Sequence, residues 1–250
     1  MKKIYTIGTI MILGVGGLAA AQISKSSHQP SQVIATSKNI TRSHQAKKSQ
    51  AQKAKPFYSK SAYPVAVEPK LANYPKTFDE LLSLGEVSFQ GTVTALKSHV
   101  YQGTTTAAFT MATIQVNQVL AGDESYQGKQ VNVLFSGGNI QKKILLRDIA
   151  DKDFLSEQEK DGAQSDEIVT VKYSYSPLPQ VGEELAIITT QEPAGANGIN
   201  EDFLMPIFSG KGVFIEQNDG SYARENTEQS DKPDDTKMNA GMTKLVQSKR

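Results

Sequence analysis

Val87-Ser88-Phe89-Gln90-Gly91-Thr92-Val93-Thr94-Ala95 decides the fold class. Val87, Phe89, Gly91, Val93 and Ala95 alternate with Ser88, Gln90, Thr92 and Thr94, the two-residue period of a strand with one buried face. Upstream, Thr77-Phe78-Asp79-Glu80 has the spacing of a capping box, so a short helix is expected there. Its apolar face would be Phe78, Leu81 and Leu82, with Gly85 as a left-handed stop. Pro64, Pro69 and Pro75 carry the chain to it in extended form.

Downstream, the loop Tyr101 to Thr106 turns the strand back into Ala112, Ile114 and Val116, which predicts a hairpin. Val131, Val133 and Phe135 predict a third strand ahead of Gly137-Gly138. Residues 139–180 break the rhythm with a charged stretch, Asp148 to Asp166, and hold one more strand candidate, Ile168 to Tyr173. They are read as an insertion on a barrel or a sandwich. Leu185 to Ile188, Phe203 to Phe208 and Val213 to Ile215 complete the expected strands, with a hairpin turn at Asp219-Gly220. Met238, Met242, Leu245 and Val246 recur at helical spacing in the polar tail 225–250, so a last helix is expected to dock on the sheet. The fold class is mainly all-β, with the domain placed at residues 68–224.

The first acidic residue is Glu68. Residues 1–67 hold ten of the 27 Lys+Arg and no acid, and the other 17 bases face all 26 acids, so the two parts carry +10 and −9. Lys2 and Lys3 precede an apolar run, Ile4 to Ala21, that ends in Ala19-Ala20-Ala21-Gln22. A basic start, an apolar core and small residues at a cleavage point predict export. The run would either be cut after Ala21 or, at eighteen residues, stay as a membrane anchor. Either way the chain after Gln22 is expected outside the cell.

Residues 22–67 are rich in Ser, Gln, Lys and Ala, too poor in apolar groups to offset the entropy of ordering, and are read as a disordered linker. Lys25, Lys38, Arg42, Lys47, Lys48, Lys53, Lys55 and Lys60 give it eight cations. They are candidates for contact with an anionic wall polymer or lipid headgroups, set against a plain spacer role. Nucleic acid is not expected, because the interleaved aromatics of a single-strand binder are missing.

Val87 to Val93, then Ile114-Gln115-Val116-Asn117-Gln118-Val119-Leu120-Ala121-Gly122, then Val131 to Gly138, resemble the layout of uncharacterised secreted surface proteins of Gram-positive bacteria. The resemblance covers residues 77–138 and 181–223 and implies a small closed β-barrel of OB or netrin-like type. It assigns no functional residue.

The absence of cysteine excludes disulfides, thiolate metal sites, a cysteine nucleophile and a lipoprotein anchor. A hydrophobic fraction of 38% excludes a polytopic membrane protein. His28 and His44 lie in the linker, leaving His99 as the body's one imidazole, and neither Ser136 nor Ser209 sits in a nucleophile elbow. Glu157, Glu159, Asp161 and Gly162 start like a calcium loop, but its twelfth place is Ile168, so no metal or other cofactor is expected. Leu178-Pro179-Gln180-Val181-Gly182 resembles a sortase signal with Val for Thr, but it lies mid-chain and reads as a loop. The expectation is a non-enzymatic surface module with an extracellular partner. Its alternatives are a hydrolase using paired carboxylates on wall glycan and a protease-inhibitor-like module. A deep acidic cleft would favour the hydrolase, and a flat face with exposed aromatics such as Tyr101, Tyr126 or Tyr222 would favour binding.

Overall fold

The structure is a computed structural model that describes residues 56–65, 74–103, 105–150, 152–153, 156–174, 176–225 and 232–249. In chain order the elements are β1 (Ala62–Val65), α1 (Phe78–Ser83), β2 (Val87–Gln102), β3 (Thr106–Gly122), β4 (Gln130–Ser136), β5 (Gly138–Gln141), α2 (Lys142–Leu146), α3 (Glu157–Gly162), β6 (Ile168–Tyr173), β7 (Glu184–Glu192), β8 (Phe203–Pro206), β9 (Val213–Glu216), β10 (Tyr222–Ala223) and α4 (Lys232–Lys249). The chain divides after Pro56 into two units, and these elements all belong to the second.

A seven-stranded sheet runs in the order β10-β9-β7-β2-β3-β4-β8, and β8 also pairs with β7. Hydrogen bonds therefore pass in a ring through β2, β3, β4, β8 and β7. The alternation in β2 holds only in part: Val87, Phe89 and Val93 point into the ring with Ile114, Val116, Val133, Phe135, Leu185, Ile187 and Leu204, all buried, but Ser88 and Gln90 are buried on the other face, and beyond the register shift at Val93/Ala95 Ala95 is exposed. Strand β7 is buried on both faces. Its Leu185 and Ile187 join this core, while Ala186 and Ile188 join a second one beneath α4. That is why Leu185 to Ile188 is an unbroken apolar run rather than an alternating one.

Long strands close a ring only if they bend, and β2 shifts register against β3 at Ser88/Phe89, Gln90/Gly91 and Val93/Ala95. Gly91 sits at the middle shift. A Cβ there would lie 2.6 Å from the Gln115 carbonyl oxygen and 2.7 Å from Ile114 Cγ2. At the end of β4 the chain leaves the ring through Gly137 (φ 96°) and Gly138 (φ 147°), backbone conformations that disfavour a side chain.

From there the insertion builds a second sheet, ordered β1-β6-β5, with β1 parallel to β6 and β5 antiparallel to it. Ile140, Val169 and Val171 bury themselves with Ala108 and are flanked by Tyr63, Val100 and Tyr173. The far halves of β2 and β3 thus carry the insertion as a packed layer. Here the assignment of residues 22–67 to a disordered linker needs correction, because residues 57–65 belong to the body. Ala62 pairs with Thr170 and Val65 with Tyr173. The Tyr58 hydroxyl donates to the Pro179 carbonyl at 2.9 Å.

The Thr77 side chain caps α1 as expected, accepting the Glu80 N–H. The helix ends differently, with Leu84 still right-handed and Gly85 outside the left-handed region. Residues 207–210 form a 3-10 turn rather than the continuation of β8. Helix α4 docks through Met238, Met242 and Val246 onto Leu81, Ile188 and Phe214. It also completes the sheet's free edge: Thr243 Oγ1 accepts the Tyr222 N–H at 2.9 Å, and Asn239 Oδ1 accepts the Arg224 N–H at 3.0 Å. Side chains four residues apart on one helix face replace the missing neighbour strand.

Candidate functional site

The ring encloses the buried core described above, and the hollows beside it open at the surface. A groove of about 450 Å³ opens beside the start of β2, lined by Glu86, Asp123, Tyr126, Gln191 and Asp202. It continues into a second hollow of about 230 Å³ that shares Tyr126, Gln191 and Asp202 and adds Gln130 and Asn132.

Each lining residue is held by local structure. Asp123 caps the 3-10 turn Glu124–Tyr126, its carboxylate accepting the Ser125 N–H and hydroxyl at 2.8 and 2.9 Å. Those bonds hold its carboxyl below the usual range. The turn places Tyr126 half-buried against the ring core. Glu86 Oε2 accepts the Gln191 N–H at 2.6 Å, and Asp202 Oδ1 accepts the Ala194 N–H at 2.9 Å. Asn132 bridges β4 to the loop before β8 by donating to Glu201 Oε1 at 3.3 Å. Next to the groove, burial pushes the Glu192 carboxyl up, and repulsion from Glu86 adds to it. The result is an open groove of amides, carboxylates and one tyrosine that repels anions and offers hydrogen bonds to neutral or cationic polar ligands.

The residues named from sequence scatter. Lys60 is exposed just before β1, while Lys25, Lys38, Arg42, Lys47, Lys48, Lys53 and Lys55 lie outside the described residues, as do His28, His44 and the segment 4–21. Among the described residues no helix is long and apolar enough to cross a membrane. His99 and Ser136 both lie opposite Phe109 in the β2–β3 and β3–β4 registers, so the phenylalanine stands between them. His99 Nε2 instead meets the Asn197 carbonyl at 2.7 Å. Glu157 to Gly162 is helix α3 with a Ser156–Glu159 capping box, which is not a calcium loop. Asp148 is bound by Arg147 and Thr106. Leu178 to Gly182 is the loop ahead of β7, with Gly182 N–H bonded to the Val93 carbonyl. Tyr222 is 1% exposed, so it offers no binding surface. Tyr101 is half-buried against the loop that carries Gly198.

Of the groove residues only Tyr126 was visible beforehand, as an aromatic of the body. Glu86, Asp123, Gln191 and Asp202 are far apart in the chain, and nothing local marks them as neighbours. No protein-family model matches the chain, and no curated protein matches it.

Proposed function

We propose that this chain is an exported, non-enzymatic surface protein in which an OB-type barrel binds an uncharged glycan while the basic segment before it holds an anionic wall polymer or lipid surface. The order of the five-stranded ring supports the barrel reading. Counted within the ring, the strands run first, second, third, fifth, fourth and back to the first, with third and fifth parallel (Val133 opposite Leu204), as in an OB barrel. Barrels of this type bind oligonucleotides and oligosaccharides on their outer surface. The acidic groove disfavours the first class and suits the second.

The observation that carries the reading is the continuous groove with Gln130, Asn132 and Gln191 beside Tyr126. Planar amides satisfy vicinal hydroxyls, and an aromatic ring covers the apolar face of a sugar. The test is calorimetric titration of the full chain with a soluble uncharged oligosaccharide of N-acetylated amino sugars. Binding that Tyr126→Ala weakens several-fold is expected. Unchanged affinity in that variant, or no binding at all, removes the groove from the function.

A second reading rests on Glu192, whose half-buried carboxyl stands beside the groove and is pushed up by burial and by the nearby Glu86, as suits a candidate general acid. It requires glycan cleavage that Glu192→Gln abolishes. Intact oligosaccharide after long incubation with the native chain rejects it.

A further inference from the structure

We infer that two copies of this chain pair across the hollow between α1 and α4, through a two-fold contact that sets α1 of each copy over α4 of the other. The hollow shares no lining residue with the groove around Tyr126, so its test does not depend on the glycan reading.

Two faces of α4 are used inside the domain. Met238, Met242 and Val246 meet the core, and Asn239 and Thr243 serve the edge of β10. A third face, made of Gly241, Lys244, Leu245 and Ser248, has the i, i+3, i+4, i+7 spacing of a helix contact surface and lines a hollow of about 380 Å³. The opposite wall is α1, with Phe78, Asp79 and Leu82. The walls stand close because Gly241 has no side chain: a Cβ there would lie 2.3 Å from Phe78 Cγ. Phe78, Leu82 and Leu245 are only half-buried, and Leu84, the C-cap of α1, is 52% exposed. An apolar strip of this kind gains by being covered.

Charge identifies what covers it. Asp79 and Lys244 are exposed on opposite walls, and neither forms an ion pair among the described residues. An anionic membrane, or a protein partner of one charge sign, would be attracted by one of them and repelled by the other. A second copy satisfies both. With the two-fold axis running along the hollow, Asp79 of each copy lies over Lys244 of the other, and the apolar strips meet between them. One pair of charges on the monomer becomes two ion pairs in the dimer. Eight residues line the hollow, against about 20–30 per side in a standard interface, so the dimer is weak and forms with rising concentration.

The experiment is analytical ultracentrifugation of the full chain from about 1 μM to about 1 mM. A monomer–dimer equilibrium is expected, which Asp79→Lys and Lys244→Glu each weaken about tenfold by turning two attractions into two repulsions. Both side chains are exposed, so the variants should unfold at the native temperature. An equimolar mixture of the two variants should dimerise as the native chain does, because each presents the charge that the other lacks. The doubly substituted chain should also regain it. A merely structural effect of either change would not be rescued by mixing. A monomer at every concentration overturns the inference, and so does a dimer that both single variants leave intact, since it would use another surface. A monomer that sediments with phosphatidylglycerol vesicles, and ceases to do so on Leu84→Asp, gives the strip to a membrane and overturns it equally.

Discussion

Asn139 holds Ser59: its side-chain oxygen accepts the Ser59 N–H at 3.0 Å, and its amide donates to the Phe57 carbonyl at 2.8 Å. The same oxygen accepts the Thr170 hydroxyl at 2.7 Å. One side chain at the start of the insertion thereby fastens the segment ahead of β1 to the second sheet. Asn139→Ala removes all three bonds and should cost about 1–3 kcal/mol. Hydrogen exchange should show the loss concentrated in residues 57–65, with the β2–β3 amides still protected. Uniform loss of protection would mean that this segment is not a separable layer.

Tyr58 lies in the same layer, and burial pushes its hydroxyl up to about 12, partly opposed by the Thr110 hydroxyl. Ionisation is thus easier in the unfolded chain than in the folded one. The stabilisation is complete below about pH 10 and is lost as pH rises from there through about 12, on the order of 2 kcal/mol in all. Tyrosinate absorbance and urea midpoints measured across that window should move together, and Tyr58→Phe should flatten the stability profile there.

Asp235→Ala leaves Arg224 charged and buried without its carboxylate. A loss of about 3–5 kcal/mol is expected, because breaking a buried pair costs more than the pair itself contributes. Changing Arg224 to Met and Asp235 to Leu together should cost much less, and thermal unfolding of the three variants compares them directly.

Gly91→Ala places its methyl group 2.6 Å from the Gln115 carbonyl oxygen. The β2–β3 bulge would have to open, at about 1–3 kcal/mol. Urea unfolding should show a lower midpoint with an unchanged slope. Unaltered stability would mean that the bend does not depend on a missing side chain.

The basic segment predicts a response to salt. Retention of the chain on isolated anionic walls should fall steeply with ionic strength, since exposed charges are screened over about 8 Å at physiological salt and about 3 Å at 1 M. Replacing Lys25, Lys38, Arg42, Lys47, Lys48, Lys53, Lys55 and Lys60 by Gln should abolish retention. Equal retention of both proteins at every salt concentration would leave the segment as a spacer.

Strands β2, β3, β4 and β7 were legible because a buried apolar face writes itself into the residue pattern, as in Leu185 to Ile188, but the alternation at Val87 to Val93 hid the second face, where Ser88 and Gln90 are buried too. Helix α4 was legible through its methionines, and its Asp235, Asn239 and Thr243 carry a second, polar stripe that fastens it to β10. Strand β1 was not legible: Ala62-Tyr63-Pro64-Val65 is short, does not alternate, and acquires its strand character from a distant partner. The groove was hidden for the same reason, since Glu86, Asp123 and Asp202 meet only when the ring closes. Arg224 gave no signal, because whether one arginine among four is buried is a property of packing.

The pairing of Ala62 with Thr170 also sets a timetable. Ribosomes release about 5–20 residues per second, and Thr170 follows Ala62 by 108 positions, so β1 is made on the order of ten seconds before the strand it joins. A strand left unpaired for that long invites the wrong neighbour. Four residues with a proline among them make a poor template, because the proline lacks the N–H that a foreign edge would need. The brevity that hid β1 from a reading of the sequence protects the nascent chain until β6 arrives.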